Sequence, residues 1–315
     1  MTEIRDIAII GAGTMGHGIA ETFARFGYEV RVYEKFRATQ EKALASIAEE
    51  LGLLAEMGRI EAASIDRILG RITFCEDLAS TVKGSDFVIE AIPEDIGMKR
   101  DLFRALDALC DPGTILASNT SSLDLFDMID GVRPERVKSC LICHWYNPAH
   151  LVPLVELSQF GNMPDDALER VERLFTGIGK KTIRVLANIP GLIANRIQQG
   201  IAREVFSLIE MGAASPEDID AALKYGPAFR YATTGQLEIA DFGGLDIWCT
   251  VGDNLLPAIS SAQKASDLLR QKIAENKLGL KTGEGFFAYA DDRRSQVTRD
   301  FHIRLIRQLA VTEQN

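Results

Sequence analysis

Short apolar runs rich in β-branched residues alternate with helical patterns through the first half of the chain. Such alternation is typical of a parallel sheet whose strands are joined by crossover helices. The predicted elements are strands at 6–10, 29–34, 86–91 and 114–118, with helices that begin at Thr14 and Ile96. A longer amphipathic stretch at 39–69, broken near Gly58, predicts a helical hairpin inserted into this order.

The pattern changes near Pro190. Before it, residues 164–177 predict a helix and 182–186 a short strand; after it the apolar spacing is helical, with almost no strand signal, over 193–211, 216–223, 261–275 and 293–309. We therefore predict two domains: an α/β domain at 1–188 with a doubly wound, Rossmann-type sheet, and an all-α domain at 189–315. Long apolar faces in the second predict docking against the first domain or a second copy.

Composition and charge narrow the class of protein. The chain has 315 residues, of which 46% are hydrophobic and 25% charged, as in folded globular proteins. A formal net charge of −10 argues against nucleic acid or an anionic membrane as a partner, because both attract basic surfaces. No apolar stretch approaches the roughly 20 residues that span a bilayer, and we expect a cytoplasmic protein.

Five scattered cysteines favour reduced thiols over a disulfide framework. Cys140, Cys143 and His144 spell the C-x-x-C-H pattern by which c-type haem is attached. Residues 137–146 nevertheless form an extended, mostly apolar run, in which residues three apart point to opposite faces. No second C-x-x-C completes a zinc site, so we predict neither haem nor metal here.

Glycines follow the first predicted strand in the spacing G-x-G-x-x-G and open a helix. Gly11 permits a tight turn, Gly13 lets the backbone approach a pyrophosphate, and Gly16 allows close helix packing. Glu34, about 20 residues further on, is placed to accept hydrogen bonds from ribose hydroxyls and to repel a 2′-phosphate. The pattern predicts a NAD site; the alternative is a glycine-rich turn that binds nothing.

His144 and Glu156 lie on extended segments joined by a turn, so an antiparallel return places the carboxylate against the imidazole. Histidine suits general-base catalysis because its pKa lies near working pH, and the carboxylate would fix its tautomer. From spacing alone, a structural histidine and a surface carboxylate are equally open. Residues 118–122 favour the catalytic hypothesis, because ligands of open α/β sheets bind just past such strands. Ser122 is alternatively a helix cap.

Six ordered motifs resemble the L-3-hydroxyacyl-CoA dehydrogenase family over essentially the whole chain. They are residues 11–16, 90–94 with Lys99, 118–122, His144 with 147–148, 190–191 with 195–196, and 281–286. The resemblance implies reversible hydride transfer between NAD and a 3-hydroxy or 3-keto substrate. It also implies a helical second domain that binds substrate and forms homodimers.

The resemblance further implies roles for individual side chains. His144 would be the catalytic base and Glu156 its partner, while Ser121 and Asn195 hold the reacting oxygen and the substrate carbonyl. Without the resemblance to this family, Lys99 and Lys281 would be expected to be solvated surface lysines. The implied cofactor contacts are Gly11, Gly13, Thr14, Met15, Gly16, Glu34, Glu94, Lys99, Asn119, Ser121, Asn147 and Lys281.

Two departures from the acyl-CoA enzymes slightly favour a small free hydroxy acid as substrate. Relatives that act on acyl-CoA hold its phosphates on a basic hairpin, whereas an acidic hairpin repels a polyanion. The hairpin here carries Glu41, Glu49, Glu50, Glu56, Glu61 and Asp66 against Lys42, Arg59 and Arg67. Residues 152–156 and 230–235 are similar to relatives that act on free acids, namely L-gulonate 3-dehydrogenase, carnitine dehydrogenase and a pyridine-carboxylate dehydrogenase.

Arg230 would clamp a substrate carboxylate through a planar bidentate contact, and a structural salt bridge is an equal alternative. L-3-hydroxyacyl-CoA is the close alternative substrate. A third hypothesis, from another class, is a non-catalytic structural protein of the lambda-crystallin type, against which the presence of both His144 and Glu156 argues. His17, His150 and His302 are assigned no catalytic role.

Overall fold

The computed structural model describes residues 3–313, and the chain divides into two compact units after Ile193. The described part of the first unit is built on an eight-stranded sheet in the order β3-β2-β1-β4-β5-β6-β7-β8. Neighbouring strands are parallel except β6 and β7, which are antiparallel. The strands are β1 Ile7–Ile10, β2 Val30–Tyr33, β3 Ile72–Phe74, β4 Phe87–Glu90, β5 Ile115–Ser118, β6 Cys140–Trp145, β7 Leu154–Ser158 and β8 Lys181–Val185.

Helices cover both faces of this sheet, so the predicted doubly wound fold is confirmed. The insertion after β2 is a long helix, a 3₁₀ turn at Ala62–Ser64 and a short helix, as the hairpin prediction required. The helices are α1 Gly16–Arg25, α2 Arg37–Glu56, α3 Ile65–Leu69, α4 Leu78–Val82, α5 Ile96–Leu109, α6 Leu125–Met128, α7 Pro134–Val137 and α8 Asp165–Gly177.

Side-chain alternation along the strands divides the core into two layers. On one face an aromatic cluster joins α1 and α8 to the sheet, with ring centroids 5.4–6.5 Å apart, through Phe23, Phe87, Trp145 and Phe175. The other face packs aliphatic side chains of the strands against α4, α5 and α6. Glu90, Ser118 and His144 belong to this second face, at or near the carboxyl ends of their strands.

The second unit is helical, with short β-bridges that pair Glu284 with Gly279 and Ala288. One predicted helix is shorter than expected, because Ser266 caps the helix at Asp267 and residues 261–266 lie outside it. In residues 3–313 no helix is both long and apolar enough to cross a membrane. The helices are α9 Ala194–Glu210, α10 Pro216–Tyr225, α11 Pro227–Tyr231, α12 Gln236–Gly243, α13 Leu245–Leu255, α14 Asp267–Ala274 and, after a 3₁₀ turn at Asp291–Arg293, α15 Arg294–Thr312.

Candidate active site

The glycine-rich turn joins β1 to α1. Gly11 has φ of +96°, and a Cβ on Gly16 would lie 1.9 Å from the carbonyl oxygen of Gly11, so a larger residue has no room at position 16. A Cβ on Gly13 would meet nothing within 4 Å. The open space beside Gly13 is therefore available to a ligand that approaches the backbone closely.

The N-terminus of α1 carries no side-chain cap, and its first turn contains no acidic residue. Its free backbone N–H groups and the helix dipole favour an anion such as a pyrophosphate. Glu34 lies directly beside the turn, where its Oε2 accepts a hydrogen bond from Ala12 N at 3.0 Å and its Oε1 accepts one from Phe36 N at 3.0 Å. This part of the structure fits a dinucleotide, with Thr14 exposed and Met15 half-buried in the same turn.

A buried ion pair lies at the end of β4. Lys99 of α5 is only 1% exposed, and its Nζ donates to both carboxylate oxygens of Glu90, at 2.7 and 2.8 Å. Ser118 of β5 also donates to Glu90, and the lysine lies 3.4 Å from Glu94. The expectation that Lys99 is a surface lysine is therefore wrong, because Glu90 compensates its charge inside the protein.

Glu94 organises the turn that follows β5. Its Oε1 accepts hydrogen bonds from the hydroxyl groups of Thr120 and Ser122, at 2.5 and 2.9 Å, and from Ser121 N at 3.2 Å. Burial opposes ionisation of Glu94, but the bond from Thr120 and the charge of Lys99 outweigh it, so its pKa lies below the ordinary value. The turn is thus held with a fixed negative charge beside it.

Ser121 is half-buried in this turn, and its neighbour Ser122 does not cap the following helix. Asp124 performs that role, accepting hydrogen bonds from Phe126 N and Asp127 N. A small cavity of about 160 Å³ opens here, below the usual size of about 300–1,000 Å³ for a complete ligand site. It is lined by residues 120–124, Ile142, 188–190 and Leu192.

His144 and Glu156 are directly opposite each other in the β6–β7 pair. Their Nδ1 and Oε2 atoms are 2.8 Å apart, and the two residues are 6% and 0% exposed. A carboxylate only accepts, so Nδ1 carries the hydrogen and Nε2 keeps its lone pair for a proton from substrate. The second oxygen of Glu156 accepts a hydrogen bond from Ile193 N at 2.9 Å, so both of its oxygens are held.

Several neighbours surround this pair. Tyr146 packs edge-on against the imidazole of His144, with ring centroids 5.5 Å apart. Burial and the negative charge of Glu156 raise the pKa of Tyr146, which therefore stays neutral. Asn119 accepts a hydrogen bond from Trp145 N at 2.8 Å and so ties the end of β5 to β6, while Asn147 is exposed before a cis peptide bond to Pro148.

The first unit therefore brings together most of the side chains that the sequence indicated. Asn195, Arg230 and Lys281 belong to the second unit. Asn195 is half-buried in the first turn of α9, Arg230 is exposed on α11, and Lys281 is exposed in the turn that follows α14.

The two cysteines of the C-x-x-C-H pattern are buried in β6. Burial raises the pKa of Cys140 to about 12 and that of Cys143 well above its ordinary value, so both are protonated thiols. The histidine of the pattern is engaged by Glu156.

Sequence reasoning missed two parts of the site. Glu90 was treated only as part of a motif, although it is the buried partner of Lys99. The backbone of Ile193 was not considered, although it holds Glu156. The buried pair could have been predicted from the sequence, because Glu90 ends an otherwise apolar strand and a lysine follows nine positions later.

A dinucleotide cradle and a buried His–Glu pair at one edge of a doubly wound sheet define a NAD-dependent oxidoreductase. Residues 6–189 match the model of the 3-hydroxyacyl-CoA dehydrogenase NAD binding domain, and residues 191–289 match that of the 3-hydroxyacyl-CoA dehydrogenase C-terminal domain. The chain belongs to the 3-hydroxyacyl-CoA dehydrogenase family. The family, the enzyme class and NAD as cofactor are thus confirmed.

Two curated relatives span almost the whole chain. It is 32% identical over 292 residues to 5-formyl-3-hydroxy-2-methylpyridine 4-carboxylate 5-dehydrogenase of Mesorhizobium japonicum, covering 92% of each protein. It is 33% identical over 291 residues to a probable 3-hydroxybutyryl-CoA dehydrogenase of Bacillus subtilis, covering 92% of this chain and 99% of the relative. A crystal structure of the former kind of enzyme, an NAD⁺-dependent dismutase, superposes with a TM-score of 0.89 at 30% identity, covering 98% of this chain and 99% of that one.

Proposed function

We propose that the enzyme catalyses reversible hydride transfer between NAD and a small free hydroxy acid. The observation that carries this choice is the charge on the hairpin formed by α2 and α3. Its exposed charged residues are five acidic and four basic, so the surface offers no net positive charge to the phosphates of CoA. Of the hairpin's acidic residues only Glu50 is partly buried. The exposed acidic residues are Glu41, Glu49, Glu56, Glu61 and Asp66, and the exposed basic residues are Arg37, Lys42, Arg59 and Arg67.

The likeness to the Mesorhizobium enzyme supports the same choice, because that relative is named for a pyridine carboxylate, which is a free acid. Arg230 supplies the recognition chemistry. Its guanidinium is exposed on α11 and suits a planar bidentate contact with a carboxylate. An aldehyde-bearing aromatic acid is a further possibility within this class.

In the proposed reaction, bound NAD would supply the acceptor for the hydride of the carbon that carries the hydroxyl group. His144 takes the hydroxyl proton on Nε2, and Glu156 stabilises the imidazolium that results, because its carboxylate is already bound to Nδ1. Ser121 and Asn195 hold the reacting oxygen and the neighbouring carbonyl. Exclusion of water around the buried pair strengthens its electrostatic interaction with the charge that develops.

We further assign the cofactor contacts in two groups. Gly11, Gly13, Thr14, Met15, Gly16 and Glu34 hold the adenosine and pyrophosphate half of NAD. Glu94, Asn119, Ser121, Asn147 and Lys281 surround the nicotinamide half. Lys99 acts here through the carboxylates of Glu90 and Glu94, because its ammonium group is buried between them.

The second candidate is L-3-hydroxyacyl-CoA, and the likeness to the Bacillus subtilis relative supports it. It needs the same base and the same cofactor, so the two candidates differ only in what binds beyond the reacting carbon. The lack of net positive charge on the hairpin supports the free acid over the thioester.

We also propose that the protein is a homodimer. Helices α12 and α13 of the second unit expose large apolar side chains, of which Leu237 and Phe242 are at least 80% exposed. Surfaces of this kind are typical of subunit interfaces. Size-exclusion chromatography coupled to light scattering tests this proposal, and a monomer at micromolar protein concentration would contradict it.

The test of substrate class is NADH formation with substrates that share one acyl group. L-3-hydroxybutyrate and L-3-hydroxybutyryl-CoA form the matched pair, beside a panel of free acids that includes L-gulonate and carnitine. Turnover of free acids alone supports the proposal. Turnover of the thioester alone replaces it with the second candidate, and no turnover of any substrate would favour a non-catalytic role.

Arg230→Ala tests the carboxylate contact. We expect KM for the free acid to rise at least tenfold, and KM for any CoA thioester to stay within twofold. The matched control is Lys224→Ala, which removes an exposed cation from the neighbouring helix α10. Equal effects of the two variants, or equal effects on both substrate types, would remove Arg230 from the substrate site.

A further inference from the structure

A buried cluster of ionisable side chains lies on the α1 side of the sheet, whereas His144 faces α5 and α6. Glu21 comes from α1, Glu50 from α2, and His150 from the connection between β6 and β7. We propose that these three side chains form a binding site for a divalent transition-metal ion of the Zn²⁺ class. The three residues lie far apart along the chain, so the sequence indicated neither a metal site nor a role for His150.

The distances within the cluster are slightly longer than those around a bound ion. His150 Nδ1 lies 3.6 Å from Glu50 Oε2 and 3.9 Å from Glu21 Oε2, and one ligand atom from each residue lies within 4.8 Å of the others. These separations are too long for hydrogen bonds. Ligands at zinc's usual bond lengths and tetrahedral angles lie about 3.3–3.6 Å apart, so the three side chains would move closer on binding an ion and would leave a fourth position for a water molecule.

Glu21 gives an independent reason to expect a cation. It is 0% exposed, and within residues 3–313 neither of its carboxylate oxygens, nor Oε2 of Glu50, has a donor. The carboxyl groups of Glu21 and Glu50 interact directly with each other, and neither can donate without a proton. Unpaired buried carboxylates are costly unless a cation or a proton neutralises them.

Two cations that act on Glu21, Lys180 and Arg25, donate hydrogen bonds to backbone carbonyls. Lys180 Nζ donates to the carbonyl oxygens of Ala149 and Val152, at 2.6 and 2.7 Å, and burial lowers its pKa to about 7. Arg25 donates to the carbonyl oxygen of His150 at 3.4 Å. These bonds fix the segment that carries His150 and leave both oxygens of Glu21 without a donor.

His17 orients the cluster from one side. Its Nε2 lies 3.2 Å from Glu50 Oε1, the oxygen that faces away from His150, and its Nδ1 bonds the carbonyl oxygen of Gly13 at 2.7 Å. Partners of this kind orient metal ligands in many proteins. The mixed nitrogen and oxygen donor set suits Zn²⁺, Mn²⁺ or Fe²⁺ better than Mg²⁺ or Ca²⁺, which prefer oxygen ligands.

The test is direct binding of ZnCl₂ to the full-length protein after treatment with a chelator. Calorimetry should give one Zn²⁺ ion per chain, and Tm should rise by about 5–10 °C at 100-fold excess over Kd. Substitution with Co²⁺ should produce the visible absorption of a four- or five-coordinate site. Absence of specific Zn²⁺ and Mn²⁺ binding, or binding of Mg²⁺ alone, would overturn the proposal.

Two variants locate the site. Glu21→Gln and His150→Gln should each weaken Zn²⁺ binding at least 100-fold, while circular dichroism and NAD affinity verify that the proteins are folded. Glu49→Gln is the matched control, because it removes the same charge from an exposed position next to Glu50. Equal Zn²⁺ affinity in the parent and Glu21→Gln would mean that Zn²⁺ binds adventitiously elsewhere on the protein. In that case a proton shared between Glu21 and Glu50, and not a metal ion, neutralises the cluster. The wild-type titration decides the question even if a variant fails to fold.

Discussion

His144 and Glu156 occupy directly paired positions of two antiparallel strands, and their side chains bond on the same face of the sheet at 2.8 Å. Strand pairing of this kind brings opposing Cβ atoms to about 4.5–5.5 Å. A slip of one residue would turn one side chain to the opposite face. The register of β6 and β7 therefore determines whether Glu156 can hold the imidazole of His144.

Replacing the base should abolish most turnover without affecting cofactor binding. In His144→Gln we expect kcat to fall about 10²–10⁴-fold, because no group remains to take the substrate proton. NAD affinity should stay within twofold, since the imidazole bonds Glu156 and not the glycine-rich turn. Initial rates of NADH formation and a fluorescence titration of NADH measure the two quantities.

The companion variant Glu156→Gln keeps the imidazole but presents an amide to it. Because the amide can donate to Nδ1, Nε2 would carry the hydrogen and lose its function as a base. Its loss of kcat should therefore be comparable to that of His144→Gln. If both variants are as active as the parent, the pair is structural.

Two glycines of the same turn should respond in opposite ways to alanine. Gly16→Ala should prevent folding of the first unit, because its Cβ would overlap the carbonyl oxygen of Gly11. Gly13→Ala should fold with an unchanged Tm, since nothing lies within 4 Å of the new methyl group, yet weaken NAD binding at least tenfold. Thermal unfolding and NAD titration distinguish the two effects. Unchanged NAD affinity in Gly13→Ala would show that the pyrophosphate does not bind beside Gly13.

Removing Lys99 should destabilise the protein strongly. Lys99→Met leaves Glu90 buried without its partner, and breaking such a pair costs about 3–5 kcal/mol. The double variant Lys99→Met/Glu90→Gln should recover much of that loss. The exposed Lys83→Met serves as control and should stay within about 0.5 kcal/mol of the parent in urea unfolding. Equal effects at positions 83 and 99 would contradict the buried pair.

Asp107 should make stability depend on pH in the acid range. Burial raises its pKa, but hydrogen bonds from Arg133 and Arg136 outweigh burial and lower the pKa to about 2. Because this folded-state value lies below the ordinary 3.8, the contribution is complete above about pH 4 and is lost as pH falls toward 2.

Urea unfolding of the parent and Asp107→Asn between pH 3 and pH 7 checks this expectation. The difference in unfolding free energy should be constant from pH 5 to pH 7 and should shrink below pH 4. A difference that does not change with pH would show that the carboxylate charge contributes nothing.

Sequence periodicity predicted β1, β2, β4 and β5 within one residue of their observed ends, because buried parallel strands form continuous apolar runs. It began the extended run of β6 at residue 137, whereas Val137 ends α7 and β6 begins at Cys140. It missed β3, whose Ile72–Phe74 is only three residues long, and α4 at Leu78–Val82. It also missed α12 and α13, since Gly243 at the end of α12 and Gly244 after it were not recognised as the boundary of two short helices. Short elements contain too few positions for a period to be recognised.

The candidate active site shows a different limit of prediction from sequence. Local spacing predicted that Glu156 returns opposite His144, because a hairpin connects them along a short stretch of chain. The burial of Lys99 against Glu90 depends on how α5 lies on β4, which no local pattern encodes. The cluster of Glu21, Glu50 and His150 likewise arises from three separate segments that only the tertiary fold brings together.

The reversal of chain direction at β7 has a consequence for how this enzyme can diversify. The His144–Glu156 pair comes from one hairpin of the first unit, and Asn195 and Arg230 come from the helices that follow. If these residues act as proposed, a lineage can exchange residues of those helices, and with them its substrate preference, while the His–Glu pair is inherited as a single segment.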